Sequence, residues 1–592
     1  MPCPNKTTAR LIPVLALGLS LTSAALSAAE DLDWWPNQRA PERLATLNVA
    51  GFSTHYTGPD GETRRIQAGL SPEHMTAQSL AGLAAMAVNE GRHDELVWIQ
   101  PGNHPDYTRW KRMLRERTGI GERQLGSLWD LVAEYKDEGI VEGYILYATD
   151  RSEGALMHKR EGSDESANVA TSLAGVLNGI IIAEEVEARA RALGLRRLLD
   201  VRDKSETWAF ENYRDRFDRR HVLLQDPKAP HNRAIAVAHR IFCTYGLEEP
   251  TPSVYRWIEA PGLVIGWNGH GEYESVSQLS RQGHVISASN WALNLPALSV
   301  READDRFRPL RAASAGNSRP PVSGRPAVSF FLSDGDNLQW ALGNFFSNER
   351  YWGSGLRGEF PFGWGLPVSD LLEVGVDAYA YARRTATAND GFVLKPSYHY
   401  PDELAIDRDP ATRERVLRAL GARIEATLAA SGLSTMAFIA RDWDSEATRE
   451  ACQAFADASP SLKGLFAMQY YPYNAGEGFV YYVHRSDGEA IPVFNCRYML
   501  WANTGMGGGG DPEEIADYLN IDLSASPQPV QSWVSIHAWS KFDTSADAPE
   551  ANLPTESVGI QAAEATRRRL EDSYQVLKPT DLMRVIRENR GN

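Results

Sequence analysis

The stretch SFFLSDGDNLQW, residues 329–340, places carboxyl and amide side chains directly after an apolar run. Two carboxyl groups that flank a glycosidic bond can hydrolyse it, because one protonates the leaving oxygen and the other acts as base or nucleophile. Asp336 is our first candidate for one of these carboxylates, and Asp334 and Asn337 are candidates for binding the substrate. An Asx-rich turn that caps the following helix explains the same residues, so both interpretations stay open.

Glu477, in YYPYNAGEG, and Asp442, in ARDWDSE, are the candidates for the second carboxylate. Asp442 could instead pair with Arg441 or cap the helix that begins near Ser445, and Glu477 could be an ordinary loop acid. Aromatic rings at strand ends can stack on a sugar or cap the core. The remaining candidates for substrate binding are the aromatic, histidine and arginine side chains that follow strand-like runs: Trp364, Tyr398, His399, Tyr400, Arg441, Trp443, Tyr471, His537 and Trp539.

Seven strand-like runs, separated by helical segments or long loops, must position these residues. Apolar strands that alternate with helices indicate a parallel sheet covered on both faces, and this number of repeats predicts a C-terminal (β/α) barrel of seven or eight strands over residues 327–592. Because a parallel barrel places all strand carboxyl ends on one face, we expect the candidates to converge in one pocket. The runs are AVSFFLS, EFPFGWGL, GFVLKPSY, STMAFIA, LKGLFAMQYY, IPVFNCRYML and VQSWVSIHAW.

Short strand-like and helical runs alternate before this region too, which predicts several small N-terminal α/β domains. The segment AASAGNSRPPVSGRP is rich in Ala, Ser, Gly and Pro, lacks periodicity and is typical of a linker. We place the small domains at residues 30–120, 121–225 and 226–311, and the linker at residues 312–326.

Residues 1–29 carry Lys6 and Arg10, then an apolar run, then small residues before Glu30. This pattern predicts a signal peptide rather than a membrane anchor, because its apolar core is too short to span a bilayer well. We therefore expect a secreted or periplasmic protein after removal of the signal peptide. Cys3 lies within the predicted signal peptide. The three cysteines that follow it, Cys243, Cys452 and Cys496, allow at most one disulfide.

The formal net charge of −16 becomes about −18 once the two basic residues of the signal peptide are removed. A strongly acidic chain argues against nucleic acid and anionic membranes as partners, and a neutral ligand fits better. We expect a carbohydrate substrate and no cofactor, and the sequence does not indicate an oligomeric state.

The motif KPSYHYPDEL, with FFLSDGDNLQW, FGWGLP and SIHAWS, resembles the GxGYxYP family of putative glycoside hydrolases. The second half of the family motif is kept as Tyr398-His399-Tyr400-Pro401, whereas Lys395 and Ser397 stand where the motif has glycine. The upstream stretch GEYESVSQLSRQGHVISASNWALNL also resembles the N-terminal region of the family. The resemblance implies a secreted protein in which α/β domains precede a domain with glycoside hydrolase activity.

Two alternatives to a glycosidase remain open. Barrel-mouth aspartate and histidine can bind zinc, so Asp334 or Asp336 with His399 and His537 could serve a metal-dependent carbohydrate deacetylase. A non-catalytic glycan-binding protein is the other alternative. The glycine run in NTGMGGGGDPEEIADYL does not favour a phosphate loop, because acidic residues follow it. Asp511 instead predicts a helix N-cap, with Pro512 at the first helical position.

Overall fold

The computed structural model describes residues 33–49, 55–57, 63–65, 72–102, 104–148, 164–301, 321–322, 324–334, 336–501, 507–526, 530–545 and 555–589. The predicted signal peptide and most of the predicted linker lie outside the described residues. None of the helices in these ranges is both long enough and apolar enough to cross a membrane.

The first small sheet is parallel, with the strand order β4-β1-β5, and the short pair β2-β3 is antiparallel. The strand at residues 121–125 pairs with β1 and so belongs to this sheet. The elements are β1 (Arg43–Asn48), β2 (His55–Thr57), β3 (Thr63–Arg65), α1 (Pro72–Asn89), β4 (Glu95–Gln100), α2 (Pro105–Thr118), β5 (Gly121–Leu125) and α3 (Leu128–Asp137).

The second and third small sheets are also parallel, with the orders β7-β6-β8 and β10-β9-β11-β12. Small N-terminal α/β units are therefore confirmed, whereas their predicted limits stay predictions. The elements of the second are β6 (Gly143–Tyr147), α4 (Ser166–Leu177), β7 (Gly179–Ala183), α5 (Glu187–Ala192), β8 (Arg197–Asp200) and α6 (Glu206–Tyr213). Those of the third are β9 (His221–Leu224), α7 (Arg233–His239), β10 (Phe242–Thr244), α8 (Thr251–Trp257), β11 (Leu263–Gly266), α9 (Glu272–Arg281), β12 (Val285–Ser287) and α10 (Leu295–Leu298).

The C-terminal sheet has the order β18-β19-β17-β16-β15-β14-β13-β22-β20-β21, with β25 added beside β13. Among the described strands of this sheet, only the β18-β19 ladder is antiparallel. Each of the seven predicted strand runs contains a strand, and the run IPVFNCRYML contains two, β19 and β20, which lie far apart in the strand order. The elements are β13 (Ala327–Leu332), α11 (Leu338–Gly343), β14 (Phe362–Leu366), α12 (Val368–Glu373), α13 (Val376–Thr385), β15 (Asp390–Leu394), α14 (Pro410–Ser431), β16 (Thr435–Ala440), α15 (Glu446–Ala458), β17 (Gly464–Gln469), β18 (Val480–His484), β19 (Ala490–Asn495), β20 (Tyr498–Leu500), β21 (Gly509–Gly510), α16 (Pro512–Ala525), β22 (Gln531–Ile536), β23 (Phe542–Asp543), β24 (Glu556–Ser557), α17 (Ile560–Arg567), β25 (Gln575–Val576) and α18 (Pro579–Glu588). The small pair β23-β24 is separate.

This large sheet is strongly curled. In a flat sheet, the seven interstrand steps from β19 to β20 would separate the two strands by about 34 Å. Asn495 ends β19 and Tyr498 begins β20, and three residue steps span at most about 11 Å. The two ends of the sheet therefore approach each other. No ladder joins them in the described part of the chain, so a full (β/α) barrel is not confirmed and the architecture is a curled half-barrel.

Aromatic and aliphatic side chains fill the interior of the curled sheet. The rings of Phe331 and Trp533 stack with centroids 4.6 Å apart, and Phe466 packs edge-on against both. Helix α18 adds Leu582 and Met583 to the same cluster of buried residues. The interior is thus a packed core, which leaves the carboxyl ends of the strands as the place for a cavity.

Two contacts fix the N-terminal units against the large sheet. The backbone N–H groups of Trp34 and Trp35 both donate to Glu373 Oε2 at 2.7 Å. The motif residue Tyr398 forms a backbone bridge with Ile286 on β12, with N–O distances of 2.7 and 2.8 Å. The kept half of the sequence motif therefore pairs with the edge of the third small sheet.

The glycine-run prediction is confirmed at the helix start. Asp511 is the N-cap of α16, accepts hydrogen bonds from the backbone of Glu513 and Glu514, and forms a capping box with Glu514, while Pro512 is the first helical residue. The run therefore leads into an acid-capped helix.

Candidate active site

A cavity of about 680 Å³ lies between the carboxyl ends of the large sheet and those of the third small sheet. Residues that follow β13, β15, β20 and β22 line one side, and residues that follow β11 and β12 line the other. Among the predicted site residues, those that line the cavity are Asp334, Asp336, Asn337, Tyr398, His537 and Trp539. Strand ends distant in sequence therefore meet in one place, as the parallel arrangement requires.

Asp336 is partly buried and lines this cavity. Burial raises its pKa, and the neighbouring Asp334 raises it further, whereas the Lys395 ammonium acts in the opposite direction. No other side chain in the described residues donates a hydrogen bond to it. Asp336 is therefore a carboxyl group that is available to a ligand.

Asp334 and Asn337 hold the local backbone. Asp334 Oδ2 accepts hydrogen bonds from the Ser333 hydroxyl at 2.6 Å and from the Ala538 N–H at 3.0 Å, which ties the end of β13 to the end of β22. Asn337 is the N-cap of α11 and accepts a hydrogen bond from Trp340 N at 3.2 Å. The turn interpretation thus describes these two residues, whereas Asp336 lies between them without such a role.

Glu272, which the sequence analysis missed, supplies a second carboxyl group. It begins α9 in the third small unit, lines the cavity and accepts a hydrogen bond of 2.6 Å from the Tyr398 hydroxyl. Desolvation by the surrounding protein raises the pKa of Glu272 to about 7, and the charges of Asp336 and Asp334 add to the increase, although part of the side chain is open to water within the cavity. The Tyr398 hydrogen bond and Lys395 partly oppose this shift.

Lys395 occupies the first of the two motif positions where the family has glycine, and its side chain lines the cavity. Ser397 occupies the second, and its hydroxyl lies in a buried network with Asp370 and Arg423. Neither residue has a positive φ, so side chains at both positions are compatible with the backbone.

Aromatic rings surround the carboxyl groups. The rings of Trp267 and Tyr398 are parallel with centroids 6.2 Å apart, and those of Trp501 and His537 stack at 4.0 Å. Burial lowers the pKa of His537, while Asp334 opposes this effect. Trp539 is 49% exposed and packs against Trp340 at the cavity wall, with the ring centroids 5.0 Å apart. Exposed indole faces of this kind suit the apolar faces of sugar rings.

The other predicted residues do not line the cavity. Glu477 and Asp442 are exposed in loops, and Ser445 rather than Asp442 caps α15. No ion pair joins Asp442 to Arg441, whose guanidinium lies over the ring of Tyr273 at 4.3 Å. The structure thus does not bring either candidate for the second carboxylate to Asp336.

The remaining predicted aromatic and histidine residues also lie elsewhere. Trp364 is fully buried and donates to Asp390 at 2.8 Å. His399 is buried, its Nδ1 lies 2.8 Å from Ser397 O, and burial lowers its pKa to about 4. Those that pack outside the cavity or lie on the surface are Tyr400, Trp443 and Tyr471.

The strand-end rule contained a signal for the missed residues. Trp267 and Glu272 follow β11 as the C-terminal candidates follow their own strands. Lys395 directly follows β15, so the same rule points to it. Among the described residues, no group of three or more His, Cys, Asp or Glu side chains is placed to hold a metal ion.

Fold and cavity together define a multidomain α/β protein with an acid- and aromatic-lined cavity between a curled sheet and a smaller one. Residues 326–548 match the GxGYxYP putative glycoside hydrolase C-terminal domain, and residues 141–217 match the GxGYxYP_N second domain. The chain belongs to the GxGYxYP family, which confirms the resemblance seen in its motifs.

One solved structure is similar over nearly the whole chain. It is the crystal structure of a putative hydrolase from Bacteroides thetaiotaomicron VPI-5482, with a TM-score of 0.72 and 22% identity over 94% of this chain and 96% of that chain. At this identity the likeness shows the fold alone. No curated protein matches the chain.

Proposed function

We propose that this protein hydrolyses glycosidic bonds of a poly- or oligosaccharide in the cavity between the two sheets. The observation that carries the proposal is the meeting of Glu272 and Asp336, two carboxyl groups from different units, in one aromatic-lined cavity. Glycoside hydrolysis requires such a pair. The family to which the chain belongs supports the same activity.

Glu272 is the proposed general acid. With a pKa of about 7 it keeps its proton near neutral pH, and it can donate that proton to the glycosidic oxygen as the bond to the anomeric carbon breaks. The Tyr398 hydroxyl orients its carboxyl group. A general acid with a pKa close to the working pH combines the right protonation state with effective proton transfer.

Asp336 is the proposed base or nucleophile. Burial raises the pKa of Asp336, and the Lys395 ammonium is the leading charge that opposes this increase, whereas it is a minor influence on Glu272. Lys395 therefore reduces the cost of the carboxylate form more at Asp336 than at Glu272. This carboxylate either attacks the anomeric carbon or takes a proton from the water that attacks it. Trp539 and Trp267 offer faces on which the sugar rings stack.

The experiment is release of reducing ends from a panel of neutral and acidic poly- and oligosaccharides. Glu272→Gln and Asp336→Asn should each lower turnover by roughly 100-fold or more, because each removes one general acid or base, while the melting temperature hardly changes. Glu274→Gln is a matched control, since Glu274 is exposed on the same helical turn as Glu272 and does not line the cavity.

Asp442→Asn and Glu477→Gln complete the comparison, because both acids lie outside the cavity and should be dispensable. Unchanged turnover in Glu272→Gln would refute its role as the acid. Saccharide binding without release of reducing ends would support the non-catalytic alternative instead.

We also propose that the protein acts outside the cytoplasm, since residues 1–29 have the pattern of a signal peptide. Mass spectrometry of the exported protein should give a mature chain that begins near Glu30. An intact N-terminus on exported protein would contradict this proposal.

A further inference from the structure

Lys395 is a buried cation at the cavity. It is 5% exposed, and its ammonium makes no hydrogen bond or ion pair within 4.0 Å with the described residues. Its aliphatic stem passes over Gly365, where a Cβ atom would lie 3.4 Å from Lys395 Cγ. The lysine stem therefore packs against the backbone of β14, which places the ammonium at the cavity.

A buried charge without a partner is costly, so such groups normally pair with an opposite charge. Asp336 and Glu272 are near enough to interact electrostatically with Lys395, yet neither is in ion-pair contact with it. The Lys395 ammonium can therefore donate hydrogen bonds to a ligand in the cavity.

The charge of the cavity differs from that of the whole chain. The lining includes three basic residues, Lys395, Arg350 and Lys541, against three acidic ones, Glu272, Asp334 and Asp336. The chain as a whole carries a formal net charge of −16. The net charge of the whole chain favours a neutral ligand, but the balanced charges of the cavity lining also allow an anionic one.

We propose that the cavity takes a saccharide bearing an anionic group, a carboxylate or a sulfate, and that the Lys395 ammonium binds this group. The inference rests on the proposed function and names its substrate class. Ammonium–carboxylate and ammonium–sulfate contacts are charge-assisted hydrogen bonds, which are stronger than neutral ones. Trp340, whose buried indole N–H also lacks a partner in the described residues, adds a second donor at the cavity wall.

The test compares the binding of matched methyl 1-thioglycosides, which resist hydrolysis, by isothermal titration calorimetry and tryptophan fluorescence. The probes are the glucoside, its 6-sulfate and the glucuronide, and the galactoside, its 6-sulfate and the galacturonide. In at least one set, an anionic member should bind about tenfold tighter or more than the neutral one, the effect expected of one charge-assisted hydrogen bond. The sulfate and carboxylate members distinguish the two sources of the anion.

Lys395→Met should abolish this preference, and Lys395→Arg should retain most of it. Lys463→Met is the control and should keep the preference, because Lys463 lies outside the cavity and pairs with Glu489 at 2.8 Å. Equal affinity for neutral and anionic members, or a preference that persists in Lys395→Met, would overturn this inference and leave the proposed function intact. Absence of binding by all six probes would count against both.

Discussion

The Tyr398 hydroxyl donates a 2.6 Å hydrogen bond to Glu272 Oε1, and this bond joins the large sheet to the third N-terminal unit. Tyr398 belongs to the sequence motif of the family, while Glu272 lies 126 positions earlier in the chain. One motif residue thus has two contacts across the domain boundary, through its backbone to Ile286 and through its side chain to the proposed acid.

Tyr398→Phe should move the alkaline limb of the pH–rate profile to higher pH. The hydrogen bond from Tyr398 lowers the pKa of Glu272, so its loss lets Glu272 hold its proton at higher pH. The measurement is turnover against pH for wild type and variant. Tyr481→Phe is the control, since the Tyr481 hydroxyl donates to Trp443 O and neither residue lines the cavity, so its profile should match that of the wild type.

Wild-type turnover should fall as pH rises through about 7, by about tenfold per pH unit well above that value, because only protonated Glu272 can donate. On the acid side, activity should rise as Asp336 ionises, at a pH above the usual range for aspartate because its pKa is raised. A profile that is flat between pH 6 and 9, as measured on a saccharide that the protein cleaves, would exclude Glu272 as the acid.

Arg423→Met should destabilise the fold by about 3–5 kcal/mol, because it leaves buried carboxylates without their cation. Arg423 donates to Asp370 and Glu373, both at 3.0 Å, and all three side chains are fully buried. Urea unfolding provides the measurement. Arg418→Met, on the same helix but in an exposed pair, should change the free energy of unfolding by at most about 0.5 kcal/mol.

Asp334→Ala should lower the free energy of unfolding by about 1–3 kcal/mol, since the Ala538 N–H and the Ser333 hydroxyl lose their acceptor. Asp336→Asn should leave it nearly unchanged. Equal loss of stability in both variants would place Asp336 in the scaffold as well. Thermal and urea unfolding of the two proteins make this comparison.

Activity should survive treatment with EDTA, because proton transfer by two carboxyl groups requires no metal. The measurement is reducing-end release before and after chelation and dialysis. Loss of activity that zinc restores, with release of acetate rather than reducing ends, would favour the deacetylase alternative.

The C-terminal strands could be predicted because each is a short apolar run with turn residues on both sides. The periodicity of apolar residues does not determine how far a sheet curls. Only two residues connect β19 to β20 and bring the ends of the sheet together, and in the sequence the two strands look like one continuous apolar run. The antiparallel strand β18 was missed, although VYYVH and the Asp487-Gly488 turn after it are typical of a hairpin.

The candidate site could be predicted only in part, for a related reason. Strand ends indicated Asp336, Tyr398, His537 and Trp539, since parallel strands bring their ends together. Strand ends do not indicate which way each following loop turns. Asp442 follows β16 and is therefore a candidate by this rule, but in the structure its side chain is exposed to solvent. Glu272 depends on the docking of two units, and no local pattern predicts which surfaces of separate units will meet.

The backbone bridge between Tyr398 and Ile286 also bears on how the chain can be divided. β12 is one of the two edge strands of its sheet, and the motif segment pairs with that edge at Ile286. A cut in the segment 312–326 followed by separate production of the halves would expose this edge and open the apolar cluster that spans both. Neither half would keep both proposed catalytic carboxyl groups, so deletion mapping cannot assign the activity to one half, and complementation by mixing the two fragments is the appropriate assay.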